Sequence, residues 1–434
     1  MERISAFKKE RNMKEVTDHK LMKINNQLII LRSIRELGPI SRKKLQEETK
    51  LSWGTITATI KEFIGRGIIK EIGTTNTGVG RRPVELDVNK EKNFAIGLRL
   101  GGAFIKSVLM DVKGNVVKDL KIPVDSQKTK GAILNQLFEA FENILEKASV
   151  TIEEIAGIGV AAPGAIDTDS GICLYAPHHP NWKNVPLKKI FEKKYKVPFF
   201  VDHVNNCSAL GERWFGFGKD IDNFLCVLLG TGISAGIIIN GEVYRGIDYT
   251  AGEFGHTCID PAGPKCVCGQ NGCLEVYASG LALSKHGIEA AKKNRTSKIL
   301  TLADGKAENI SGETLFLAAQ EGDKDALIIF EEMGRLLGIG VSNLINLFNP
   351  ECVILCGEVS IASEFFLPSM EKTIKQKAWH FSRKDIRISR LGDSAVLGAA
   401  GIVLQEIYNK GLLFNKRLNL KKELSQAANN SLGS

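Results

Sequence analysis

The stretch "CVCGQNGC", residues 266 to 273, gathers three of the chain's nine cysteines. Thiolates ligate metals and act as nucleophiles, and clustered thiols also pair as disulfides or stay free in a core. Met1 to Lys23 is charged and has no apolar h-region, so it does not read as a secretory signal. No run approaches the roughly 18 uninterrupted apolar residues of a membrane helix. The expected location is therefore the cytosol, where disulfides are rare and clustered cysteines point to metal or redox chemistry. Free buried thiols remain the alternative, because the spacing is not the common Cys-x-x-Cys knuckle. Gly269 and Gly272 would let the chain turn tightly enough for Cys268 and Cys273 to reach one ion.

A second chemistry is written in the charge. The 434 residues carry a formal net charge of +9. Residues 1–90 hold 19 Lys and Arg against 11 Asp and Glu, whereas the remaining residues hold 39 against 38. The excess sits in the first fifth of the chain, as an electrostatic footprint for nucleic acid or as a solvated basic face.

The elements that would carry this charge can be read from periodicity. Residues 24–37 place Leu28, Ile29, Leu31, Ile34 and Leu37 on one helical face, and Gly38-Pro39 stops the helix. Ser41 caps a short second helix, "RKKLQEET". Ser52 caps a third, "WGTITATIKEFIGRG", with Ile56, Ile60, Phe63 and Ile64 turned inward. Two short strands follow, joined by a loop rich in Gly and Thr. Three helices and a two-stranded ribbon make a winged helix-turn-helix, whose third helix enters the DNA major groove. The expected DNA-facing residues are Ser52, Trp53, Thr55, Thr57, Ala58 and Lys61, with Arg81 and Arg82 on the wing. Hydroxyls there suit base edges or phosphates, and the cations suit phosphates or a narrow minor groove.

From residue 94 strands and helices alternate in two blocks, which predicts an α/β protein of two lobes with a ligand cleft between them. The expected boundaries are 1–90 for the head and linker, 91–200 for lobe I, 201–410 for lobe II and 411–434 for a polar tail. The last helix is expected to return to lobe I.

Residues 251–275, "AGEFGHTCIDPAGPKCVCGQNGCLE", resemble the signature of the ROK family of bacterial sugar kinases and sugar-responsive repressors. "LGTGISAGIIINGEVYRG", "APGAIDTDSGICLYAPHHPNWKNVPL" and "NLINLFNPECVILCGEVS" resemble further segments of it, so the likeness runs from about residue 94 to 405. The resemblance implies an actin-like fold with the sugar in the cleft. It implies a structural zinc loop, one ion per chain, with His256, Cys266, Cys268 and Cys273 as ligands and Cys258 as a bystander. Three thiolates and an imidazole suit tetrahedral zinc. The sugar-binding positions become Glu253, His256, Glu275 and His203, with Val204 where the family has its catalytic Asp.

The family's kinases transfer a phosphoryl group from ATP to a sugar, and three of their parts are altered here. Valine at 204 cannot accept a proton; Asp202 would need a register shift to replace it. Arg99 and Ala103 stand where the first phosphate hairpin has an acid and a hydroxyl. Cys356-Gly357-Glu358 replaces a run of glycines near the nucleotide. The expectation is a winged-helix repressor without enzymatic activity. It would bind double-stranded operator DNA, answer to a sugar or sugar derivative and act as a homodimer or homotetramer off the membrane. The competing readings are a sugar kinase with an added DNA-binding domain, and a head that contacts protein.

Overall fold

The computed structural model describes residues 2–74, 84–124, 129–176, 182–379 and 384–414, with side chains from residue 19 onward. The chain opens on helix α1 (Glu2–Leu37), which starts well before the expected Ile24. Its buried stripe is Gln27, Leu28, Ile30, Leu31 and Ile34. Ile29 and Leu37 were expected inward and are exposed. At about 100° per residue Ile29 falls opposite Gln27, and Leu37 ends the helix. Ser41 caps α2 (Arg42–Thr49) and Ser52 caps α3 (Trp53–Gly65), each accepting a backbone N–H three residues on. In α3 the inward face is Ile56, Thr59, Ile60 and Phe63, while Ile64 lies at its exposed edge, against expectation. The ribbon has a third member: β1 (Ile40–Ser41) joins β2 (Ile69–Thr74) and β3 (Val84–Val88) in the order β1-β3-β2.

Two five-stranded sheets follow, and both have the same connectivity. In the first, β4 (Phe94–Leu100), β5 (Phe104–Met110) and β6 (Val116–Pro123) form an antiparallel meander. β7 (Ile155–Ala162) and β11 (Phe199–His203) then add in parallel on the β4 side. In the second, β12 (Phe224–Leu229), β13 (Ile233–Ile239) and β14 (Glu242–Val243) form the meander, and β15 (Cys352–Cys356) and β16 (Asp385–Ile388) add in parallel on the β12 side. A small sheet of β8 (Ala165–Asp167), β9 (Ile172–Tyr175) and β10 (Lys183–Val185) rims the first lobe. Helices α4 (Lys130–Ala148) and α5 (Leu187–Tyr195) cover one face of the first sheet. Around the second lie α7 (Glu275–Ala278), α8 (Gly280–Lys293), α9 (Lys298–Leu302), α10 (Gly312–Gln320), α11 (Lys324–Phe348) and α12 (Ser363–Lys377).

The remaining two helices change sides. α6 (Val204–Phe215) leaves the first sheet at β11 and packs on β12 and β13 of the second. α13 (Ser394–Lys410) leaves the second sheet after β16 and packs on β4 and β7 of the first. The chain thus passes between lobes near His203 and again near Ser389, and α6 and α13 cross where the lobes meet. Small residues make the crossing close. A Cβ at Gly398 would sit 1.7 Å from the Cys207 carbonyl oxygen, and one at Gly211 would sit 2.0 Å from that of Ser394. The buried Glu212 of α6 holds the second passage, accepting from the Ser389 hydroxyl and, at 3.0 Å, from Phe217 N–H. Burial pushes its pKa up, and these two donors offset part of that rise.

The head is continuous with this frame. Its core residues Ile34, Ile56, Phe63 and Leu86 join Val403, Leu404, Ile407 and Tyr408 of α13 in one apolar cluster, and Phe63 lies 5.2 Å from Phe414. Gly398→Ala is expected to cost about 3 kcal/mol or more of stability, because the methyl group meets a backbone oxygen that neither helix can withdraw. The urea-unfolding midpoint checks this, and an unchanged midpoint would contradict the crossing.

Candidate functional site

The thiol cluster is built by two glycines and a ladder of short bridges. Gly269 and Gly272 both have positive φ, at 94° and 66°. At Gly272 a Cβ would also sit 1.6 Å from the Asp260 carbonyl oxygen, so glycine is required there twice over. Isolated bridges Cys258↔Cys273 and Lys265↔Asn271 close the loop. It brings one ligand atom each of His256, Cys266, Cys268 and Cys273 within 4.8 Å of one another. Cys266 Sγ lies 3.6 Å from His256 Nδ1, and Cys268 Sγ lies 3.6 Å from Cys273 Sγ. A tetrahedron with zinc–sulfur bonds of about 2.3 Å has edges of about 3.8 Å, so the four donors fit one such ion. Burial and the neighbouring thiols push Cys273 up to about 12. A backbone N–H at Gln270 works the other way on Cys268 and holds it below the ordinary thiol value. Cys258 lies outside the group, and all nine cysteines are free thiols.

His256 presents Nδ1 to the thiols and leaves Nε2 4.0 Å from Glu253 Oε2. The other expected sugar positions gather around the start of β13. Glu275 Oε2 accepts from Ile233 N–H at 3.0 Å. Asn205 Nδ2 donates to Ala235 O at 2.9 Å, beside Gly252. His203 is buried, and its Nδ1 lies against Asn205, near both the backbone N–H and Oδ1, at the start of α6. Any ligand contact of His203 is therefore left to Nε2. The exposed Glu253, the half-buried Glu275 and two imidazoles near one strand end can accept from and donate to vicinal hydroxyls.

Asp202 is committed elsewhere. Its Oδ2 takes both Nε and a terminal nitrogen of Arg245, at 2.9 and 2.7 Å, while Oδ1 takes His203 N–H and Asn206 Nδ2, at 2.7 and 2.8 Å. With four donors on it, this carboxylate has no lone pair left for a substrate proton. Arg245 comes from the segment after β14, so the pair also ties the second lobe to the end of β11. The segment touches the first lobe again where the Tyr249 hydroxyl donates to Asp169 Oδ2 at 2.7 Å.

In the same sheet, and in register with Asp202 across β7, Arg99 at the end of β4 reaches Asp393, the N-cap of α13, at 2.5 Å. Lys106 of β5 reaches the same oxygen at 2.7 Å. Burial works to raise the Asp393 pKa, but Arg99 and Lys106 outweigh it and hold the carboxyl below its usual range. The β4–β5 turn carries Ala103, with Gly101 N–H donating to Phe104 O at 3.0 Å. Glu358 is exposed and starts a short 3-10 turn after Gly357. Sequence reasoning found Arg99 but missed Asp393, Lys106 and Arg245, whose partners lie 43 to 294 residues away. The one local signal was Asp393 immediately before an apolar helix, an N-cap pattern.

In the head, α3 turns Trp53, Thr57, Ala58 and Lys61 to solvent. The Ser52 and Thr55 hydroxyls are 2.9 Å apart and bond to each other at the exposed start of the helix. Arg81 and Arg82 lie outside the described residues. So do residues 177–181 and those from 415 on. Among the described residues no helix is long and apolar enough to cross a membrane.

Comparison with known proteins gives this geometry a context. The profile of the ROK family matches residues 95–406. The xylose repressor of Caldicellulosiruptor bescii is 35% identical over 397 residues, covering 90% of this chain and 98% of that protein. The crystal structure of a ROK family transcriptional regulator, a homologue of the E. coli MLC protein, superposes with a TM-score of 0.78 at 30% identity, over 91% of this chain and 98% of that one. A ROK family glucokinase from Streptomyces griseus, solved with glucose and AMPPNP, superposes with a TM-score of 0.65 at 31% identity. It covers 99% of its own chain but 71% of this one.

Asp393→Asn is expected to cost about 2–3 kcal/mol near pH 7, because Arg99 and Lys106 then face each other unpaired. The Asp393 carboxyl is depressed in the folded state, so its stabilisation is present above the unfolded carboxyl's pKa and is lost as pH falls through the lower folded value. Urea unfolding from pH 7 to pH 3 should show the two proteins converging toward the acid end. A difference independent of pH would remove the charge from the explanation.

Proposed function

The chain belongs to the ROK family, and on that footing we propose that it is a sugar-responsive transcriptional repressor. It would bind operator DNA through the head and hold its effector in a kinase-like cleft that no longer performs phosphoryl transfer. The observation that carries this reading is the exposed polar face of α3 on a head bonded to a sugar-kinase-like fold. The xylose repressor extends the likeness across the head, whereas the glucokinase spans a smaller part of the chain.

The head reads as a winged helix-turn-helix, residues 1–90, with α3 as the recognition helix. Its Ser52, Trp53, Thr55, Thr57 and Lys61, with Arg81 and Arg82 on the wing, are the proposed DNA contacts. Residues 91–200 and 201–410 are the two proposed lobes, with α13 returned to the first. A homodimer or homotetramer in the cytoplasm would present paired heads to a palindromic site.

The metal proposed for His256, Cys266, Cys268 and Cys273 is zinc, one per chain, supported by the donor set and its tetrahedral spacing. A bound zinc ion would neutralise the thiolates and fix the loop. The chain's own residues do the rest. His256, held through Nδ1, turns Nε2 toward Glu253, and with Glu275 and His203 these groups would bind the sugar hydroxyls.

Absence of catalysis is supported by three features. Val204 carries no proton-accepting atom, Asp202 is saturated, and Arg99 is spent on Asp393. A kinase with an added DNA-binding head is the second reading.

The deciding measurement is fluorescence anisotropy with a duplex from the region upstream of the protein's own gene. Specific, salt-sensitive binding is expected, and Lys61→Ala should weaken it across sequences while lowering the salt slope by about 1. No binding at low salt overturns the reading, and ATP-dependent phosphorylation of D-xylose or D-glucose by clean protein establishes the kinase instead. Metal analysis is expected to give one zinc per chain. Cys268→Ser should release it and lower the unfolding temperature, and metal-free wild-type protein with an unchanged melt would refute the structural role.

A further inference from the structure

The head touches both lobes, and one residue does so at a single point. Arg35, in the last turn of α1, has its guanidinium carbon 4.4 Å from the centre of the Trp214 ring and 4.7 Å from that of the Tyr408 ring. Trp214 belongs to α6, which packs on the second sheet, and Tyr408 belongs to α13, which packs on the first. The cation is held in a slot whose two walls belong to the two crossing helices. A guanidinium binds such a slot through the faces of both rings, so its hold depends on their separation and tilt.

Among the described residues the head's other polar ties run to the first lobe. Arg32 donates to Tyr408 O at 2.8 Å and to Asn409 Oδ1 at 3.1 Å, both at the end of α13. Lys113, in the turn after β5, pairs with Asp87 at 2.8 Å and donates to Gly38 O at 3.2 Å. The Tyr408 hydroxyl donates to Val112 O at 2.6 Å, which fixes that wall to the first lobe. The Trp214 wall travels with α6. α6 and α13 pack closely where the lobes meet, so a closure that rotates one lobe on the other shifts α6 against α13.

We propose that Arg35, clasped between Trp214 and Tyr408, is the positioning residue that converts the relative movement of α6 and α13 into a movement of the DNA-binding head. This rests on the reading of the chain as a ligand-controlled DNA-binding protein. Arg32 and Lys113 keep the head seated on the first lobe, and Arg35 tells it where the second lobe is. A ligand shifts the head only by its preference for one lobe arrangement, and the slot is where that preference is read.

Gly401→Ala moves the slot without a ligand. Its methyl group would lie 3.3 Å from Trp214 Cδ1, so the indole must give by a few tenths of an ångström, while α13 gains a better helix former. The test uses the full chain, the upstream duplex, and D-xylose and D-glucose as sugar probes. Gly401→Ala is expected to change DNA affinity about threefold or more, and the change should vanish when it is combined with Arg35→Gln. Arg35→Gln alone should keep DNA binding and sugar affinity while abolishing the sugar-induced change in DNA affinity. Arg32→Gln should retain that change. A sugar response of wild-type size in Arg35→Gln, or a Gly401→Ala effect of equal size with and without Arg35, overturns the proposal.

If neither sugar alters DNA binding, the Gly401→Ala cycle decides alone. If wild-type protein binds no DNA, the repressor reading fails and amide exchange over residues 53–65 decides the coupling. Gly401→Ala must then change exchange only when Arg35 is present, and no difference between the backgrounds overturns it. Should Arg35→Gln not fold, Trp214→Leu takes its place in the cycle.

Discussion

The structure depends on the close crossing of α6 and α13. Each helix begins where its own sheet ends and covers the other sheet instead. The lobes are therefore joined by two chain passages and a close helix–helix contact, with Gly398 against Cys207 and Gly211 against Ser394, besides the ties of Arg245 to Asp202 and Tyr249 to Asp169. Such a contact has no free volume, so the helices can slide or tilt but cannot separate without losing the core between them. That constraint gives a two-lobed protein a defined axis of motion. It also explains why Glu212 is tolerated at full burial: the residue ties the second passage through Ser389 next to the crossing.

Two ion groups cluster around this axis. A kinase cleft needs an unengaged base and cationic or metal-bound phosphate groups. Here Asp202 is saturated by Arg245 and two neighbours, and Arg99 and Lys106 converge on Asp393. Both ion groups bridge elements that belong to different parts of the fold. Asp202 thereby braces the first passage, and Arg99 and Lys106 brace the start of α13. Glu253, His256, Glu275 and His203, the residues proposed for a ligand, take no part in either ion group and lie near the start of β13.

The thiol loop and the head are built by different forces. The loop has little core of its own, and its shape comes from two left-handed glycines and four convergent donors. The head is a conventional apolar core, but that core does not close on itself. It is completed by Val403, Leu404, Ile407 and Tyr408, so the last turns of α13 belong to both domains. A head that borrows its core from the cleft's own helix cannot move independently of it.

Periodicity, caps and spacing determined much of this protein without coordinates. Ser41 and Ser52 mark their helices because a side-chain oxygen before an apolar repeat has one efficient use. The alternation from residue 94 pointed to two α/β blocks, and the signature around Cys266 to Cys273 pointed to the family and to the four donors that the fold brings together. Local pattern failed at edges, as with Ile29, Leu37 and Ile64, where phase errors of one position move a side chain from core to water. It could not see that both sheets share one connectivity, since strand order is set by pairing between segments that carry no mark of each other. Nor could it see Asp393 meeting Arg99, Arg245 meeting Asp202, or Arg35 entering between Trp214 and Tyr408. Those contacts join residues up to hundreds of positions apart. Only the exchange of α6 and α13 between the lobes brings them into reach, because a sequence states which groups exist and the tertiary structure alone decides which of them meet.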